Sequence, residues 1–251
     1  MSSAGWTRIA LVAGLVLLLE ALCRAGVIPN FTVIPPSAMA ESLWKVLASG
    51  KFTPDIIATL TNVGIAIAAA MVVGIALGTL LQSWPAARRV LDPLFATYYA
   101  VPMYAFYPLL IVLFGLGDLP QVAIGFLLAV MAVIINTLNG LDRVPPVLVK
   151  AARVHGLGFL KTAHRVRLPY AAPYIFTGFK LAVAYSFIGV IGAEFITSSR
   201  GIGYEISFAY INFDNAVMYA MILLILLIVV TVNMSLHLWE QRLLARRRRA
   251  A

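Results

Sequence analysis

Six stretches of this chain, residues 8–28, 56–82, 94–116, 119–138, 171–197 and 215–238, are long and apolar enough to cross a bilayer. A spanning helix needs about 20 mostly apolar residues. In hydrocarbon every backbone N–H and C=O must be paired internally, which leaves helices and closed barrels. The runs are continuous rather than alternating, and this selects helices. Composition agrees: 62% of the 251 residues are hydrophobic and 12% charged, with a mean hydropathy of +0.94. Soluble domains carry roughly 45–50% apolar and about 25% charged residues. The expected fold is therefore an all-α membrane protein with about six transmembrane helices. It forms one domain over 1–251: an extra first helix at 8–28, a core at 55–238 and a loop at 139–170. Residues 9–19, after Arg8, imitate a signal-peptide core. The apolar character continues past any plausible cleavage point and no clean Ala-x-Ala follows, so a retained span is expected.

The charges orient these spans. With the N-terminus inside, fourteen cations fall on one side: Arg8, Arg88, Arg89, Arg143, Lys150, Arg153, Lys161, Arg165, Arg167, Arg242 and Arg246–Arg249. Arg24, Lys45, Lys51 and Arg200 fall on the other, and Lys180 lies inside the fifth span. The positive-inside rule then puts both termini in the cytoplasm and explains the net charge of +9 without nucleic acid. Arg246–Arg249 is expected to anchor the tail and touch anionic lipid. The single Cys23 excludes an intrachain disulfide and a cysteine metal cluster.

Between the first two spans, Pro29, Pro35 and Pro36 mark turns. Ser37 is the expected cap of a helix over 38–48, with Gly50 just past its end. Leu43, Trp44, Val46 and Leu47 give that helix an apolar side suited to the membrane interface. Glu20 and Arg24, four apart, can pair on one helix face.

The most polar internal segment separates the fourth and fifth spans. Pro145 and Pro146 suit a helix start, and Val147, Leu148, Ala151 and Val154 recur at helical spacing. Gly156 and Gly158 end that helix, since glycine accepts the left-handed backbone of a tight reversal. Phe159, Leu160, Ala163 and Val166 form a second apolar face, and Pro169 is expected to stop the second helix before the fifth span. Lys150, Ala151, Ala152, Gly156, Leu157, Gly158, Leu168 and Pro169 thus outline a basic helical hairpin. Small residues at 151 and 152 permit close approach of another backbone. By itself this pattern is compatible with a hairpin resting on lipid or with a knob that enters a partner's groove.

Ala151-Ala152-x-x-x-Gly156, followed at a distance by Leu168-Pro169, resembles the EAA loop of permease subunits of bacterial ATP-binding-cassette (ABC) importers. Lys150 stands where the family pattern opens with Glu. The resemblance runs from about residue 55 to 238. It takes in Val101-Pro102, Phe114-Gly115-Leu116-Gly117, the Pro169, Pro173, Gly178 series and Ala193-Glu194-Phe195. It is closest to the subfamily serving nitrate, sulfonate and taurine. The resemblance implies a type I ABC importer permease (MetI-like) fold and a pore made with a second permease chain, as a homodimer. It also implies cytoplasmic ATPase subunits that grip the hairpin, and a periplasmic or lipid-anchored substrate-binding protein. No cofactor is expected in this chain, and ATP and Mg belong to the ATPase subunit. The absence of a Gly-x-x-x-x-Gly-Lys-Ser/Thr phosphate loop is consistent with borrowed energy. The chain is not expected to be an enzyme, and the bacterial inner membrane is its expected location.

For the transport path, Pro102 and Pro108 predict a bent or broken third span, a defect tolerated where it lines a cavity or is covered by protein. Tyr104, Tyr107 and Ile111 share one helical face there and are the first candidates for lining the path. Asn136, Ser186 and Glu194, with Asn139 and Tyr185, are the polar candidates in the later spans. Glu194 is expected to pair with Arg200 or with a neighbouring helix. Gly64, Ala68, Gly74 and Gly78 suit close helix packing or a contact between permease chains. The tyrosines favour a planar organic substrate, such as a vitamin precursor, over a bare inorganic anion. An ion- or proton-coupled secondary transporter is the alternative class. It calls for a central acidic or histidine relay, but His155 and His164 both lie in the loop. A membrane enzyme is third, with no His-Glu-x-x-His or readable nucleophile–base pair.

Overall fold

The computed structural model describes residues 3–29 and 31–250; the side chains of 3–5, 8, 9, 96 and 243–250 are outside the described set. The expectation for the Arg246–Arg249 side chains therefore lies outside the described residues. The chain forms α1 (Ser3–Arg24), α2 (Pro36–Ser49), α3 (Thr53–Ser83), α4 (Pro85–Thr97), α5 (Tyr107–Phe114) and α6 (Asp118–Asp142). There follow α7 (Pro146–Val154), α8 (Phe159–Thr162), α9 (Leu168–Thr197), α10 (Ile202–Ile211) and α11 (Asn215–Ala250).

Among the described residues, four helical stretches are long and apolar enough to cross a membrane: α3, α6, residues 159–197 and α11 as far as Arg242. The third expected span is the pair α4–α5, bent by 90°, which makes up to five. The break falls at Val101-Pro102, between short 3₁₀ turns at Tyr98–Ala100 and Met103–Phe106. Proline at 102 cannot donate an N–H, and it disfavours the helical region for Val101, which is extended at φ −76°, ψ 123°. The first expected segment is α1, 22 residues long and starting earlier than expected.

The core is a sandwich of α3, α6 and α9. α6 is the central element, buried along most of its apolar length, whereas α11 is largely exposed. Very close helix approach makes this possible. A Cβ added at Gly74 would lie 2.6 Å from that of Val133, and one at Gly78 would lie 2.8 Å from that of Thr137. One at Gly189 would lie 2.6 Å from the backbone Cα of Gly125. Gly64 and Ala68 sit on the opposite, exposed face of α3, so only the later two of the four small residues pack within this chain.

α2 runs differently from its expected plan. Ser37 is inside the first turn, and its N–H is capped by Glu20 of α1 at 3.0 Å. Glu20 also pairs with Arg24 at 2.6 Å. Gly50 closes the helix in the left-handed conformation, φ 67°, as expected. Leu43 and Val46 pack against Ile202, Met221 and Leu224 of α10 and α11, which leaves Trp44 and Leu47 exposed.

Pro169 does not stop the hairpin's second arm. Helix continues through a π turn at Ala163–Arg167 directly into α9, so residues 159–197 form one helix of 39 residues. The wide turn gives the proline ring room against the preceding carbonyls, and Pro169 falls in the first turn of α9, where its missing N–H costs little.

Candidate functional site

The hairpin is built as the spacing demands. α7 ends in a Schellman motif in which the Gly156 N–H donates to Arg153 O at 2.9 Å and the Leu157 N–H to Ala152 O at 3.0 Å. Gly156 has φ 69° and carries the reversal. Gly158 is in extended backbone, so any residue would serve its geometry. Thr162 locks the second arm, its hydroxyl donating to Leu157 O at 3.2 Å and its N–H to Gly158 O at 2.9 Å.

Ala152, Thr162 and Ala163 are buried between the arms, whereas Lys150, Ala151, Gly156 and Pro169 are exposed and Leu157 and Leu168 partly so. The larger apolar residues face outward: Val154 is 86% exposed and Leu160 79%, with Val147 and Phe159 beside them. This is apolar surface on the most polar part of the chain. Lys150, Arg153, Lys161 and Arg165 surround it, all exposed, and no acid occurs between Asp142 and Glu194. Asp142 itself is taken by Arg88, through two bonds of 2.6 Å. The hairpin therefore presents an apolar knob in a positive field, suited to an acid-rimmed groove.

The candidate path residues are dispersed. Tyr107 is buried against Leu110, Ile124 and Ala193, and its hydroxyl donates to Thr197 O at 3.0 Å. Tyr104 is partly exposed and donates to Ile188 O at 2.6 Å. Ile111 packs on the same cluster. Both tyrosines thus fasten the broken span to α9. Asn136 donates to Ala132 O on its own helix at 2.8 Å, and the Ser186 hydroxyl is fully buried. Tyr185 stacks on Tyr99 with ring centroids 5.3 Å apart.

Glu194, only 1% exposed, sits in a polar cluster at the end of the bundle opposite the hairpin. It accepts from the Thr59 hydroxyl at 2.8–2.9 Å and from the Gly203 N–H at 3.0 Å. Its expected partner Arg200 binds Asp118 instead, with a 3.0 Å Nε–Oδ1 bond. Alongside, Asn62 donates to Gln121 at 3.0 Å and Gln121 to Ser198 at 2.7 Å. Glu205 of α10 is partly buried nearby. Burial first, and then the Asp55 carboxylate, raise its carboxyl above the usual range, with Lys51 opposing. Asp55, Thr59 and Asn62, at i, i+4 and i+7 on one face of α3, were the available sequence signal for this cluster.

A bundle of spanning helices with a basic hairpin at one end is the architecture of an integral membrane protein. The model of the family described as binding-protein-dependent transport system inner membrane component matches residues 70–249, and the chain belongs to that family. Among its relatives is the taurine transport system permease protein TauC of Escherichia coli (strain K12), 29% identical over 83% of this chain and 73% of that one. The nitrate import permease protein NrtB of Leptolyngbya laminosa is 34% identical over 64% of this chain and 58% of its own. The bicarbonate transport system permease protein CmpB of Synechococcus elongatus is 34% identical over 61% and 56%. The chain thus spans under two thirds of the nitrate and bicarbonate proteins and falls in the nitrate, sulfonate and taurine-like branch. A solved inward-facing structure of the MetNI methionine ABC transporter superposes with a TM-score of 0.63 at 17% identity. It covers 76% of this chain and 95% of that one, and the MetI-like permease fold is shared.

Proposed function

We propose that this chain is the path-forming permease of an ATP-driven importer and that its hairpin is the contact through which a cytoplasmic ATPase subunit drives it. The carrying observation is the exposed apolar knob, Val147, Val154, Phe159 and Leu160, on a turn fixed by Gly156, with the exposed cations Lys150, Arg153, Lys161 and Arg165 around it. Such a surface is costly in water and is stabilised by burial in a partner. ATP and Mg are held and hydrolysed on that partner, both termini lie on its side of the membrane, and a substrate-binding protein delivers cargo to the other. Two copies of this chain form the pore. The path runs past the broken span, with the partly exposed Tyr104, Ile111 and Asn136 on its wall and the buried Ser186 and Glu194 supporting that wall. The cargo is a small organic compound or oxyanion of the kind named for the relatives, taurine and nitrate among them, with a planar vitamin precursor as a second candidate.

The test is capture of the tagged chain from its native membranes. An ATPase subunit should be retained, and uptake should stop when ATP is depleted while the ion gradient is held. Uptake that persists without ATP and collapses with the gradient would assign the chain to secondary transport.

A further inference from the structure

The N-terminus of α10 has no cap of its own, since the preceding residue is Gly201. Other helices supply all three acceptors. The Gly201 N–H donates to Asp55 at 2.9 Å, the Ile202 N–H to Thr59 Oγ1 at 2.8 Å and the Gly203 N–H to Glu194 Oε2 at 3.0 Å. The Thr59 hydroxyl donates onward to Glu194, so a single hydroxyl joins α3, α9 and α10. Thr59 is fully buried. There is no slack: a Cβ at Gly201 would run into the Glu194 carboxyl group, and one at Gly203 into Ile191 O. Around this knot lie the Asn62–Gln121–Ser198 chain and the two tyrosine hydroxyls that hold the broken span to Ile188 and Thr197. Every one of these groups belongs to the end away from the hairpin. Two features weaken a helix: the π turn at Ala163–Arg167, with Pro169 and Pro173 after it, near the hairpin, and the break at Val101-Pro102, on the chain just before the Tyr104 and Tyr107 anchors.

We propose that Asp55, Thr59 and Glu194 are positioning residues that weld α3, α9 and α10 into one body which stays closed throughout transport. Movement started at the hairpin is then taken up at the π turn and at the Val101-Pro102 break. Acceptors from two other helices, Thr59 and Glu194 buried and Asp55 half-buried, suit a fixed joint on this ten-residue helix better than a gate, because opening them would leave buried donors and acceptors unpaired. This rests on the reading of the chain as the moving permease of an ATP-driven complex.

Amide hydrogen exchange on the wild-type complex, captured with its ATPase, tests it. Spectra are compared in nanodiscs without nucleotide and after trapping with ATP and vanadate. Protection at residues 201–203 should change by less than about twofold, while residues 98–106 and 163–173 change by about tenfold or more. Loss of protection at 201–203 on trapping overturns the proposal and makes the cluster a gate. No change at any of these sites, the hairpin included, overturns both this proposal and the coupling role. As a second measurement, Ile56→Cys with Ile206→Cys, in a Cys23→Ala background, pins α3 to α10 through a short bifunctional thiol reagent. Uptake that survives cross-linking supports the fixed joint; uptake lost on cross-linking and regained when a cleavable reagent is cut refutes it.

Discussion

Gly156→Asp is expected to leave the protein inserted in the membrane while its uptake falls by more than about tenfold, the scale of losing one interface hot spot of about 2 kcal/mol. Nothing lies within 4 Å of the Cβ that the substitution adds, so the bundle itself has no reason to unfold. The cost is local. A side chain at φ 69° strains the reversal by roughly 1–2 kcal/mol, and a carboxylate enters a surface whose other charges are all positive. If the hairpin enters an acid-rimmed groove, the new charge faces like charge there. Gly158→Ala is the control, with extended backbone and open space around it. It should retain ATPase and uptake near wild type. ATPase capture and ATP hydrolysis, measured side by side for the two variants, decide the matter. Normal coupled uptake by Gly156→Asp would remove the docking role.

Gly189→Leu should produce the largest loss of stability, about 3 kcal/mol or more. Its Cβ would meet Gly125 Cα at 2.6 Å and Gly125 N at 2.9 Å, and backbone atoms in the middle of a helix cannot rotate away. α6 and α9 would have to part along the contact that organises the core. Against a total stability of about 5–15 kcal/mol this is a large fraction, and the thermal midpoint in detergent should drop by about 10 °C. Gly64→Leu, on the exposed face of the same bundle with nothing within 4 Å, should leave the midpoint of the isolated chain nearly unchanged. Equal midpoints for the two variants would mean that the α6–α9 contact is not where the packing energy resides.

The elements legible in the sequence were those whose cause is local. Pro145-Pro146, the apolar repeat and Gly156 encode the first arm of the hairpin and its turn within a dozen residues. Pro102 breaks the third span where it stands. What escaped depends on partners far away in the chain. Pro169 read as a stop because proline usually is one, yet the π turn accommodates it and the helix continues. No helix is expected between the spans 171–197 and 215–238, because α10 lacks a cap of its own and is completed by Asp55 and Thr59, more than 140 residues earlier. Glu194 stood out as an acid in an apolar run, but its obvious partner Arg200 was already engaged by Asp118. The tyrosine face expected to help line the path is split by the break: Tyr107 is buried and reaches Thr197, while Tyr104 stays partly exposed.

The unbroken helix from Phe159 to Thr197 fixes the angular register of the hairpin against the bundle. A coil linker would absorb an extra residue, whereas a helix, even one that bends at its π turn, rotates by about 100° for each one. One alanine inserted after Leu168 would swing the knob roughly a quarter-turn around its axis, and four in a row would bring it back almost to its starting azimuth, one pitch lower. Length variation at that point is therefore a matter of phase, and any natural or engineered change in spacing there must come in whole turns to keep the knob aimed at its groove.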